Sequence, residues 1–70
     1  PMIWKLTVTY PSGGGSAMHT YDDPVAAFTH GYSNYNLREL AARPDFLGVT
    51  LALDHVIVEL TPEIQMGGAT

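Results

Sequence analysis

The chain has 70 residues, a net charge of −4 and no cysteine. That length makes one domain, and the lack of cysteine excludes disulfides and thiolate zinc sites. Lys5, Arg38 and Arg43 are the only lysine and arginine residues, too few to neutralise a run of phosphates, which argues against nucleic acid as a direct partner. No apolar run reaches the roughly 18 residues that a membrane span needs. The first residues hold one lysine and no apolar h-region, which predicts no signal peptide and a cytoplasmic location in the producing or infected cell. A domain of about 60 residues buries only about 60% of its unfolded surface and commonly relies on a staple or a partner. Charged residues make up 14% of this chain, well under an average of about 25%. Part of its surface is therefore expected to be covered by another chain.

Residues 3–10 read as a strand. Trp4, Leu6, Val8 and Tyr10 alternate with Lys5, Thr7 and Thr9, the period of a half-solvated antiparallel strand. Pro11 stops it, and Ser12-Gly13-Gly14-Gly15-Ser16 supplies a flexible turn. Residues 17–21 then read as a short return strand. A Gly-rich loop that cradles phosphate needs a helix N-terminus after it and usually a cation. Here a strand follows, so the loop reads as a hairpin tip.

Asp22-Asp23-Pro24 predicts a helix start, with Asp23 placed to cap and Pro24 suited to the first turn. Val25, Phe28, Tyr32 and Tyr35 follow at helical spacing, yet residues 29–36 contain almost no strong helix former. Asn36 with Glu39 three residues on resembles a fresh capping box. The segment is expected to be helical from residue 24 to 42, broken or kinked near Asn34, and ended by Pro44.

Residues 46–60 are rich in aliphatic and β-branched side chains, with Val49, Leu51 and Leu53 on one face and Val56, Val58 and Leu60 on another. Asp54-His55 reads as a turn between two strands. The rival is one long strand with a bulge, because Asp-His is not a favoured hairpin pair. Pro62 is expected to end the segment, leaving residues 63–70 as a C-terminal tail. The predicted fold is α+β: a small antiparallel sheet in β-β-α-β-β order, with a broken or kinked helix packed on one face of a single domain, residues 1–62. The expected core is Trp4, Leu6, Val8, Phe28, Leu40, Leu51, Val56 and Val58.

Signals for chemistry are sparse. His19, His30 and His55 stand at no spacing that places two on one helix face, so no metal site is expected. Ser12, Ser16 and Ser33 lie in loop-like context outside any Gly-x-Ser-x-Gly motif. The carboxylates are accounted for as caps, turns or solvated faces, and no cofactor is expected. Trp4, Tyr10, Tyr21, Tyr32 and Tyr35 form the most suggestive set, since Tyr and Trp combine apolar area with a hydrogen-bonding group and are favoured at interfaces.

Pro1 carries a secondary amine that desolvation beside Trp4 would make a base near neutral pH. Pro1-Met2-Ile3 leading straight into a strand, with the later strand near residues 56–60, resembles the tautomerase superfamily of small oligomeric enzymes. That resemblance implies Pro1 as general base, with Arg38 or Arg43 orienting an anionic substrate. The reading that composition supports is different: a small interaction or accessory module, of the kind phages encode as accessory proteins or inhibitors. It would bind a protein partner, or itself, through a sheet edge and the Trp/Tyr set.

Overall fold

The computed structural model describes residues 2–64. The alternating N-terminal segment forms β1 (Met2–Tyr10), which turns through residues 11–14 into β2 (Gly15–Tyr21). Tyr10 accepts the N–H groups of both Gly13 and Gly14, at 3.1 and 3.2 Å, and Gly13 and Gly15 take the positive φ that this turn requires. Two further strands, β3 (Val49–Ala52) and β4 (Ile57–Ile64), complete one antiparallel sheet of order β2-β1-β4-β3. Residues 46–60 are thus two strands and not one, with a reversal at residues 53–56 closed by the Leu53 N–H donating to Val56 O at 2.8 Å.

β1 is an inner strand of the sheet, and one of its faces supplies core side chains. Trp4, Leu6 and Val8 are buried, while Lys5, Thr7 and Thr9 face the opposite side. Opposite Leu6 and Val8 on β4 stand Leu60 and Val58, both fully buried. Onto this strip packs a helical layer made of α1 (Pro24–Ala26), a π-helical segment (Ala27–Gly31) and α2 (Tyr35–Ala41). Ala27 and Phe28 are also fully buried.

The expected break is present, and its geometry explains it. Tyr32 N–H donates to Ala27 O at 3.0 Å and Asn34 N–H to Phe28 O at 3.1 Å, so the turn widens to five and then six residues. Gly31 closes against the sheet there: a Cβ at that position would collide with Leu6 Cδ2 and lie 2.6 Å from the Tyr21 hydroxyl. The cap of the second helix is Asn34, not Asn36: its side chain accepts the Leu37 N–H at 3.0 Å. Asp23 occupies the N-cap position of α1 with extended backbone, but its side chain makes no capping bond.

Leu37 and Ala41 are buried, while Leu40, expected in the core, is 38% exposed. Leu51 and Val56, also expected there, are half-buried at the margin of the cluster. Pro62 does not end the last strand, which runs through it to Ile64, so the last strand reaches two residues into the segment expected to be a tail. Pro62 pairs opposite Trp4 on β1, and β3 has already stopped at Val49 opposite Leu60. The ring therefore meets no ladder partner on the β3 side. It meets Gly48, where φ is +118° and an added Cβ would approach Leu60 O to 2.8 Å and Pro62 Cδ to 3.3 Å.

Two substitutions separate the caps. Asn34→Ala is expected to cost about 1 kcal/mol of unfolding free energy in a urea titration, and Asp23→Ala distinctly less, because of the two only the Asn34 side chain accepts a capping hydrogen bond. Gly31→Ala is expected to lower Tm by several degrees: overpacking costs about 1–3 kcal/mol, against less than about 1 kcal/mol gained from replacing glycine in a helix.

Candidate functional site: an uncovered sheet edge

The helical layer is short, and it meets β2 only at its Tyr21 end, where Gly31 sits beside the Tyr21 hydroxyl. Residues 11–20 are all exposed, on both faces of β2, and only Tyr21 at its end is half-buried against the core. The pairing of β2 with β1 is unbroken over seven residues, from Trp4 opposite Tyr21 to Tyr10 opposite Gly15. No bulge bends the strand, so its outer edge is a straight row of backbone donors and acceptors. Its sequence, Gly-Ser-Ala-Met-His-Thr-Tyr, holds no proline, lysine or carboxylate, the residues that usually blunt such an edge. The other edge, β3, is four residues long.

Residues opposite one another across the sheet share a face. On the side away from the helices, Ser16, Met18 and Thr20 of β2 continue the row of Thr9, Thr7 and Lys5 on β1 and Ile57, Glu59 and Thr61 on β4. Charge on this face gathers toward one end, where Lys5 Nζ lies 2.8 Å from Glu63 Oε2. That hydrogen bond and the attraction of the carboxylate raise the Lys5 pKa above its ordinary 10.5. Glu59 stands level with Met18 across Thr7, and past it toward the turns the face is uncharged, with Met18 55% and Ile57 38% exposed.

The predicted aromatic set is dispersed. Trp4 is 8% exposed and stacks on Phe46, with ring centroids 5.3 Å apart, so it presents no surface to a partner. Tyr21 and Tyr32 are half-buried against the core. Tyr10 is 44% exposed at the hairpin end, and Tyr35 lies on the helical layer, its hydroxyl donating to Glu39 Oε2 at 2.8 Å. Of the five, Trp4, Tyr10 and Tyr21 belong to the hairpin, and Trp4 is turned inward. Met18, the most exposed large apolar residue of β2, was missed in the sequence. Its signal was the absence of any charge between Gly15 and Tyr21.

Of the residues of the alternative reading, Arg38 and Arg43 each engage a neighbour on their own segment. Pro1 lies outside the described residues. The Arg38 guanidinium sits over the Tyr35 ring, 5.2 Å from its centroid, and Arg43 Nε is 3.2 Å from Asp45 Oδ1. That hydrogen bond and the Arg43 charge hold the Asp45 carboxyl below 3.8. β2 stands between β1 and the first helix. An open cleft of about 490 Å³ lies between the two turns at the same end of the sheet, with Pro11, Leu53, Val56 and Ile57 among its walls. At its rim His55 Nε2 is 3.0 Å from Asp54 Oδ2, while Ser12, on the other wall, makes no hydrogen bond to His55. Both side chains of the His-Asp pair are more than 80% exposed, so water screens the pair. Among the described residues no three His, Asp or Glu side chains converge on one point, and no helix is long and apolar enough to cross a membrane.

No protein-family model matches the chain, and neither a curated protein nor a solved structure matches it.

The Lys5–Glu63 pair allows a direct check of the uncovered face. A lysine whose pKa is raised in the fold favours folding below 10.5 and loses that contribution as pH rises through the raised value. In an NMR titration Lys5 is expected to lose its proton above 10.5, and in Glu63→Gln to move back toward the ordinary value, with the weaker pull of Glu59 remaining. If another chain or segment covered this end, the substitution would leave the titration as displaced as before.

Proposed function

We propose that this protein is an interaction module that takes an additional strand along the outer edge of β2. One observation carries the reading: a seven-residue edge strand, straight, uncharged and exposed on both faces, in a chain whose other strands are paired or short. Main-chain hydrogen bonds along such an edge supply affinity, and the alternating side chains supply selectivity. The occupant would see Met18 flanked by Ser16 and Thr20 on one face, and Ala17 and His19 on the other. The small core supports the same reading. With nine buried hydrophobic residues among the described residues, the fold gains from any surface that shields its sheet further. The aromatic contribution reduces to Tyr10 and Tyr21 at the two ends of the hairpin.

The test is affinity capture with a C-terminal tag, comparing the native chain with Thr20→Lys, which sets an ammonium on the edge without touching the core. The native chain is expected to retain a stoichiometric protein partner, either a foreign chain or a second copy. Thr20→Lys is expected to retain it roughly tenfold less, about 1.4 kcal/mol of binding free energy. Equal capture by both chains would place the binding surface elsewhere and overturn the reading.

A further inference from the structure

The edge of β2 suits one occupant in particular. We infer that it pairs antiparallel with β2 of a second copy about a two-fold axis at Met18, joining two four-stranded sheets into one of eight. This rests on the edge reading above and names the partner.

Three features of the strand favour its own copy. The first is charge. The molecule is acidic overall, and Asp22 and Asp23 follow β2 directly. A parallel neighbour would bring the two acidic ends together. An antiparallel copy sets each acidic end against the partner's turn, residues 11–14, Pro-Ser-Gly-Gly, which bears no charge. The two acidic ends then stand a strand length apart, about 20 Å for seven residues. That exceeds the screening length of about 8 Å at physiological salt.

The second is side-chain fit. Centring on Met18 opposes Met18 to its copy, Ser16 to Thr20, Ala17 to His19 and Gly15 to Tyr21. Two flexible thioethers meet on the axis, a hydroxyl faces a hydroxyl, and a small residue faces each larger one. No like-charged pair arises anywhere along the seven positions. The hairpin already uses the last match once, with Tyr10 opposite Gly15 in the β1–β2 pairing.

The third is closure. A two-fold pair uses both β2 edges and ends there. Pairing β2 with β3 of another copy would leave a free β2 and a free β3 at the ends and propagate without limit. The four residues of β3 match barely half of β2, which disfavours that arrangement.

Sedimentation equilibrium of the full chain across a range from micromolar to millimolar concentration tests the inference. The native chain is expected to dimerise, and Met18→Leu to behave alike. Met18→Lys places two ammonium groups on the axis, and it is expected to raise the dimer dissociation constant roughly tenfold or more. Met18 is exposed and outside the core, and unchanged nuclear Overhauser contacts between β1 and β4 would verify that the variant is folded. A native chain monomeric throughout the range, or a dimer of equal strength in Met18→Lys, overturns self-pairing. Should a monomeric native chain still capture another protein in a β2-dependent way, self-pairing alone falls and the edge reading stands. Capture indifferent to substitutions on β2 overturns the edge reading itself.

Discussion

Phe28 is fully buried in one cluster with Leu6, Leu60 and Val58, which are also closed to solvent, and the other features of the molecule follow from how little chain surrounds that contact. One aromatic ring from a short helical layer anchors the middle of a four-stranded sheet. The layer has three, five and seven residues in its successive pieces, enough to roof the middle of the sheet. β1 and β4 lie at the centre and carry its buried side chains. β2 and β3 are left as edges, and one whole face of the sheet is left without a second layer. In a longer chain a further helix or sheet would close these surfaces. Here the chain's own described residues do not, and the surface they leave is backbone-rich, straight and uncharged along β2.

The same shortage explains the local irregularities. The π-helical turn and Gly31 bring the helical layer close enough to Leu6 and Tyr21 to pack without an intervening side chain. Gly48 serves a similar purpose at the start of β3, admitting the Pro62 ring beside it. Small residues at close approaches let a thin layer seal a thin sheet, at the cost of poor helix propensity across residues 29–34. The capping bond of Asn34 restores a defined start for α2.

Much of this was legible in the sequence because it follows from periodicity and turn chemistry. The alternation around Trp4, Leu6 and Val8, the glycine turn, the proline at residue 24 and the interruption near Asn34 each have a local physical cause, and the α+β order follows from them. Three things were not legible, because each depends on a neighbour distant in sequence. The cap moved from Asn36 to Asn34, and Leu37 and Ala41, not Leu40, are the residues of α2 that the sheet buries. Pro62 stayed within its strand because β3 had already ended beside it. Trp4, expected both in the core and in the interface set, took the core place, and what was not legible is the partner that holds it there, Phe46, 42 positions away. At the candidate site the edge itself was foreseeable from the hairpin. That β2 would be the uncovered strand was not, since this depends on where the helical layer comes to rest.

The central claim is that β2 is an open edge which becomes paired on association. Amide hydrogen exchange measured at increasing protein concentration tests it strand by strand. The account predicts that the β2 amides pointing away from β1 exchange freely in dilute protein and gain protection as concentration rises, while β1 and β4 amides are protected throughout. Outward β2 amides whose exchange does not depend on concentration, or concentration-dependent protection confined to β3, would contradict it.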